Sequence, residues 1–253
     1  VAQSFLNTLA GNDIISGIGG TSNSDINNGI TNKVSISNNG TIITGAGNDS
    51  IYGISDGIGI YNTGTINTGT GKDNIIGIGN VVGIYTFGTI NTGAGNDTIT
   101  GISTGGDLSS SKTSIFNIGI FNDEFTIDTG TGNDIVSGTG NFGISNTGTI
   151  NTGAGNDTVS AIVGGFSGNG SIYLGTGNDT LIGFGTGNFY GGTGTDKLLL
   201  GEGIYAISGS AIDSGGASMN ASQFEQIGGV NGGIFSYSDG IVIVNADGVA
   251  SFA

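Results

Sequence analysis

The sequence predicts an all-β protein: a parallel β-solenoid with about 24 residues per turn, closed by a β-rich carboxy-terminal cap. Three observations predict it. A short phrase ending in Gly-x-Gly-x-Asp keeps returning, aliphatic residues return at a fixed offset from it, and the composition disfavours helices and disulfides. Aligned on the phrase, the aspartates are Asp13 (in the weaker form Leu-Ala-Gly-Asn-Asp), Asp49, Asp73, Asp97, Asp134, Asp157, Asp179 and Asp196. Subtracting successive residue numbers gives spacings of 36, 24, 24, 37, 23, 22 and 17. A fixed period of this size marks a stack of turns in which each turn contacts only its neighbours. The two long spacings read as turns carrying insertions near 19–31 and 103–114, whose contents, GGTSNSDINNG and STGGDLSSSK, are polar and turn-forming. Residues 1–200 are therefore expected to form the solenoid and residues 201–253 the cap.

One period divides into three strand-like pieces. In the turn starting at Gly83 they are Ile84-Tyr85, Thr89-Ile90-Asn91 and Thr98-Ile99-Thr100-Gly101-Ile102, separated by Gly, Asn and Thr that can turn the chain. The second piece supplies Ile42, Ile66, Ile90, Ile127 and Ile150 down the chain. The piece after the aspartate supplies Ile51, Ile75, Ile99, Ile135, Val159 and Leu181. Stacked at about 4.8 Å, such turns pile like on like into a narrow aliphatic core. Disordered Gly-rich chains lack this regular supply of Ile and Val.

Composition restricts the chemistry. There are 55 Gly and no Pro, Cys, His or Trp. Four Lys face 19 acidic residues, for a formal charge of −15, so almost nothing is available to neutralise phosphates and nucleic acid is not an expected partner. A cation fits the charge. Without His or Cys, zinc and copper are poor candidates, whereas carboxylates and backbone carbonyls suit a hard ion such as calcium. No apolar run approaches the roughly 20 residues of a membrane span. The start, VAQSFLNTLAGND, shows no signal-peptide pattern, and Val1 is read as an internal residue of a longer product. The missing imidazole and thiol also make an independent catalytic site an unfavoured reading, so the chain is expected not to be an enzyme.

Seven stretches carry a family resemblance: TGAGNDSIY (44–52), TGTGKDNII (68–76), TGAGNDTIT (92–100), TGTGNDIVS (129–137), TGAGNDTVS (152–160), LGTGNDTLI (174–182) and GGTGTDKLL (191–199). They resemble the calcium-binding nonapeptide repeats of the RTX, or haemolysin-type, proteins. The resemblance covers roughly residues 9–200 and implies a β-helix or β-roll in which loop carbonyls and the Asp carboxylate hold calcium between neighbouring turns. Carried over position by position, it assigns metal binding to Asp13; Gly45, Gly47 and Asp49; Gly69, Gly71 and Asp73; Gly93, Gly95 and Asp97; Gly130, Gly132 and Asp134; Gly153, Gly155 and Asp157; Gly175, Gly177 and Asp179; and Gly192, Gly194 and Asp196. Eight aspartates enclose seven gaps, so up to seven Ca2+ ions are expected in one column, fewer if the insertions open their gaps. Their charge would depress the carboxylate pKa values. Two departures stand out. Thr usually replaces the first Gly of the family pattern, and a single motif in each long turn implies one calcium-bearing edge, with added sides similar to those of bacterial surface passengers. The shorter turn ending at Asp196 is expected to return to the flatter family shape.

Competing readings are structural. The Asn-Asp phrases also suit metal-free Asx turns, and the sequons at Asn48, Asn96, Asn156 and Asn178 fall inside the loops and read as accidental. Tyr52, Tyr61 and Tyr85 read as stacked turns before they read as a sugar platform. From Gly201 the phrase stops. This tail resembles the carboxy-terminal export signal of RTX proteins, and equally reads as a cap built on Phe224, Ile227, Phe235, Ile241 and Ile243. The expected function is an extracellular, calcium-stabilised structural protein of a bacterial surface layer, sheath, fibre or adhesive matrix. Copies of itself and a surface polysaccharide are the expected partners. The alternative is a calcium-binding module beside an enzymatic or adhesive domain outside these residues.

Overall fold

Gly, Asn and Thr break each full period of the chain into three short strands, one for each wall of a coil. The computed structural model describes residues 5–8, 10–18, 34–105 and 117–253. The insertion expected near 19–31 lies outside the described residues, and so does the one near 103–114 beyond Gly105. In the turn from Thr65 to Gly88, Thr65–Asn67 lies on face A, Asn74–Gly79 on face B and Val82–Thr86 on face C. The six residues 68–73 form the A–B corner, and two-residue turns make the other corners.

Each face is a parallel sheet in register. On face A, Ile42, Ile66, Ile90, Ile127, Ile150 and Ile172 follow one another. On face C, Ile36, Ile60, Ile84, Ile120 and Ile144 do so, ending at Phe166. All of these side chains are buried in one core. Face B contributes Ile51, Ile75, Ile99, Val136, Val159, Leu181 and Leu198. Here the sequence expectation needs correcting at one position. Ile135 pairs with Thr98 and points outward, 44 % exposed, while Val136 pairs with Ile99 and is buried. Both residues are β-branched, so identity alone did not separate them, and the alternation of the strand did.

Faces B and C approach each other backbone to backbone. A side chain at Gly77 would run into the carbonyl of Gly83, so the two strands can meet only as glycine against glycine. Polar side chains close the C–A corner. Asn38 Nδ2 donates to Asn62 Oδ1 at 2.8 Å, Asn62 Nδ2 to Thr86 Oγ1 at 3.1 Å, and Asn122 Nδ2 to Asn146 Oδ1 at 2.8 Å. These side chains are buried, and each bond ties one turn to the next.

Face C stops at Phe166–Ser167. The Asp179–Asp196 spacing is 17, against 24 for Asp49–Asp73, and the difference equals one five-residue strand and one two-residue corner. This last coil is two-sided, as the short spacing implied. Phe166 and Phe189, with ring centroids 4.9 Å apart, fill the core where the third wall ends.

Residues 201–253 close faces A and B with antiparallel strands. Gly203–Ser208, Ala211–Ser214, Gly240–Val244 and Ala250–Phe252 extend face A, and Gly232–Ser236 pairs back on face B. Of the residues expected to build this cap, Phe224 and Ile227 are buried and Phe235 packs against the core. Ile241 and Ile243 are instead 43 % and 40 % exposed, and their strand turns Val242 and Val244 inward. The alternation is again displaced by one residue.

The register carries a test. Ile99→Ala should cost about 2–5 kcal/mol, as large-to-small core changes do, whereas Ile135→Ala should stay within about 0.5 kcal/mol. Denaturation midpoints compare them, and an equal cost at Ile135 would refute the outward placement.

Candidate metal centre

The A–B corner stacks the Gly-x-Gly-x-Asp loops directly on one another. All fourteen loop glycines assigned from the sequence between Gly45 and Gly194 have positive φ, the first of each pair at 87–109° and the second at 134–142°. Close approach adds to this conformational demand. A side chain on Gly95 would collide with the carbonyl of Gly71 one turn earlier, so the loops nest only without one.

Two adjacent amides of a loop reach in opposite directions, except in the Asp97 loop, where Lys72 one turn earlier offers no side-chain acceptor to Asn96. The Asp49 N–H donates forward to Asp73 Oδ1 at 2.8 Å, while the Asn48 N–H donates back to Asn12 Oδ1 at 2.8 Å. The forward bond recurs at 2.7–2.8 Å from Asp13 through Asp49, Asp73, Asp97, Asp134, Asp157 and Asp179 to Asp196. The structure therefore brings all eight aspartates into one column. Neither long spacing opens it: the Asp13–Asp49 and Asp97–Asp134 bonds are as short as the rest. The backward bond uses Asn48, Asn96, Asn133, Asn156 and Asn178 as acceptors, which engages the Oδ1 of the four sequon asparagines that lie in the loops.

The aspartates from Asp49 to Asp196 are left half-satisfied. Their Oδ1 accepts the neighbouring amide, but Oδ2 of each, and of Asp13 at the start of the column, is buried without a partner. From Asp49 onward the residues are at most 1 % exposed. A buried carboxylate oxygen without a donor carries a full desolvation penalty, relieved by a proton or by a cation. Burial is the main reason that the carboxyls are pushed up, Asp97 and Asp179 to about 6 and Asp157 to about 7, with the accepted amide bond opposing it. Asp73, Asp134 and Asp196 are raised for the same first reason. The expected depression of these values belongs to the ion-loaded state; burial alone drives them the other way.

The Thr that replaces the first glycine of the family pattern was read only as a departure. It ties each corner to the next. Thr44, Thr68, Thr92, Thr129 and Thr152 are fully buried, and each hydroxyl donates to a main-chain carbonyl of the next turn at 2.8–3.3 Å. Thr92 also lies beside Asp97, but a hydroxyl has one proton, and this one is directed to the Thr129 carbonyl. Sequence reading also missed Glu225, whose Oε2 accepts the Asp196 N–H at 2.7 Å. Its signal was weak, a lone Glu outside any Gly-x-Gly-x-Asp phrase.

The donor set fits a hard cation. Every unpartnered side-chain oxygen in the column is a carboxylate oxygen, and the nested loops stack glycine carbonyls along the same corner. Among the described residues no three acidic groups converge. Carbonyls would have to supply most of the roughly 6–8 oxygens that calcium takes.

Comparison with family models, with curated proteins and with solved structures finds no match. The metal reading therefore stands on the geometry and on the motif.

Other candidates separate. Tyr61 and Tyr85 meet on the outside of face C, 5.6 Å apart, with Phe87 and Phe121 against Tyr85. Tyr52 lies on face B, paired with Ile76, and does not join them. A second aromatic pair, Tyr173 and Tyr190, stacks on face A at 4.7 Å. Two stretches with Gly-x-Ser-x-Gly spacing, Gly53–Gly57 and Gly101–Gly105, escaped the sequence reading. Their serines serve corners: Ser55 Oγ accepts the Gly57 N–H, and Ser103 Oγ donates to the carbonyls of Asn80 and Val81.

The carboxyls raised above 3.8 bind protons more tightly in the folded chain than in the unfolded one. Between about 4 and 7 the folded state holds the extra protons, so stability is greatest below that window and falls as pH rises through it. In chelator, the denaturant midpoint should be higher at pH 5 than at pH 8. A midpoint that rises with pH would contradict the buried, unpartnered carboxylates.

Proposed function

We propose that the chain is a calcium-stabilised structural solenoid that works outside the cell, in a surface layer, sheath, fibre or adhesive matrix of a bacterium, and assembles with copies of itself. One observation carries this reading: eight buried carboxylate oxygens without donors stand in a single column between nested loops. The resemblance of the loops to RTX repeats supports it. Oxygen-only donors in a chain without His or Cys favour calcium over zinc or copper, and a site that draws mostly on main-chain carbonyls suits calcium better than magnesium, which demands a near-ideal octahedron.

The residues that would hold the ions are the column aspartates from Asp13 to Asp196, with the carbonyls of their loop glycines. The bound cation supplies positive charge between turns. The chain supplies the rest: Oδ1 fixes each carboxylate on the neighbouring amide, the glycines admit the loop above, and the buried hydroxyls keep their protons on carbonyls. Because the donors of one gap come from different turns, binding and folding are coupled. Extracellular calcium modules bind at about 10⁻⁴ to 10⁻³ M. Such a chain stays loosely folded where calcium is scarce and closes after export. The loop carboxylates have no catalytic partner in this reading, and a surface glycan would meet the aromatic row on face C.

Circular dichroism with and without chelator tests the metal. A β spectrum unchanged by calcium removal at neutral pH rejects the calcium-driven fold. Asp97→Ala should remove one or two ions, since its turn borders two gaps. At calcium about 100-fold above Kd each lost ion is worth about 2.7 kcal/mol, and the same substitution should cost much less in chelator, where it deletes an unpaired buried carboxylate. Replacing Asp107, which belongs to the insertion near 103–114 and lies outside the described residues, should do little.

Self-assembly has its own constraint. The antiparallel cap closes faces A and B, whereas no antiparallel strand covers the end of face C among the described residues. Coil-on-coil continuation through the capped end is therefore blocked on two of three faces, and association is expected along the sides or through the remaining edge. Sedimentation in millimolar calcium should show species larger than the monomer. A single monomer at every concentration would reject the polymer.

A further inference from the structure

The aspartate column does not end with the last Gly-x-Gly-x-Asp loop. The Asp196 N–H donates to Glu225 Oε2 at 2.7 Å, the same bond that the Asp179 N–H makes to Asp196 Oδ1 at 2.8 Å. Register confirms the equivalence. Lys197 pairs with Gln226 and Leu198 with Ile227, just as Thr180 pairs with Lys197 and Leu181 with Leu198. Glu225 thus occupies, one layer on, the position of Asp196.

The corner that delivers it is different. On the other side of the corner Tyr190 pairs with Ser222, so six residues (191–196) in the last coil face only three (223–225) in the cap. A shorter path cuts the corner, and glutamate's extra methylene lets its carboxylate reach the Asp196 amide. Gln223 adopts φ 61°, a left-handed conformation costly for a residue with a side chain. That turn sets its carbonyl against Gly191: a side chain on Gly191 would strike both the Gln223 carbonyl and Asp196 Oδ2. Asp196 is fully buried, and this Oδ2 has no partner.

We infer that Asp196 Oδ2, the Glu225 carboxylate and the Gln223 carbonyl form a divalent-cation site that belongs to the cap. The inference rests on the cation reading of the column, but two of its three ligands, Glu225 and Gln223, lie outside the repeat. Two anionic oxygen groups and a neutral carbonyl suit a hard divalent ion and balance its charge. Such an ion ties the antiparallel cap to the last coil, so that the end of the molecule orders together with the column.

Glu225→Gln separates this from a purely structural role, because the amide oxygen still accepts the Asp196 N–H while the charge is gone. The full chain, parent and E225Q, is titrated with calcium by equilibrium dialysis, and hydrogen exchange is followed for residues 217–229 and 92–102. E225Q should bind one ion fewer. The calcium-induced slowing of exchange in 217–229 should fall at least tenfold, with that in 92–102 unchanged. An unaltered ion count and unaltered cap protection in E225Q overturn the cap site and leave the column reading intact. A parent chain that binds no calcium overturns both. Should E225Q fail to fold, the parent alone decides: cap protection that ignores calcium while 92–102 responds overturns the cap site, and a parallel response supports it.

Discussion

Like must stack on like in a solenoid whose turns repeat in register, and that constraint shapes everything else in the chain. For isoleucine the consequence is favourable, since each column buries one more aliphatic side chain per turn. For aspartate it is not. Carboxylates in a column would repel across each layer, and the fold keeps them there with one oxygen bound and the other bare. A column like this is stable only if something compensates every layer alike. An amide does so for Oδ1. Protons would do so for Oδ2 at low pH and cations at neutral pH, which is why burial, pKa and proposed metal binding describe a single property of the corner.

The same rule explains how much of the architecture could be read beforehand. The period, the Asp column and the inward residues of faces A and B were visible because the loop phrase supplies a fixed origin from which to count. Face C lies farthest from that origin: its strand is named in one turn, Ile84-Tyr85, but the inward column from Ile36 through Ile144 is not followed down the chain. Counting failed where the strand offered two apolar neighbours, at Ile135–Val136 and at Ile241–Val242–Ile243–Val244, because composition does not choose between the faces of a strand. Within the site, Thr92 and its counterparts were visible as a substitution but not as a hydroxyl ladder, since direction of donation depends on what lies one turn away. Glu225 was hidden for the opposite reason. It fills the aspartate position from a corner of different length, so no spacing rule could reach it.

The end of the molecule shows what the repeat needs in order to stop. Removing one strand and one corner converts a three-walled turn to a two-walled one without disturbing the Asp column, because the A–B corner keeps its six residues. The lost wall is replaced locally by the rings of Phe166 and Phe189, and a groove lined by Ile162, Phe184, Glu202 and Tyr205 opens beside the step. Stacked on the last coil is one parallel layer, Ala217–Ser222 and Gln226–Gly229, and the antiparallel strands lie beyond it in space, although Gly203–Ser208 and Ala211–Ser214 precede it in the chain. The parallel layer places Glu225 and the Gln223 carbonyl beside Asp196, and the antiparallel strands cover the edges beyond it against further pairing. The cap therefore first imitates the repeat and then refuses it, so the last carboxylate is supplied by a residue whose backbone can no longer pass the pattern on.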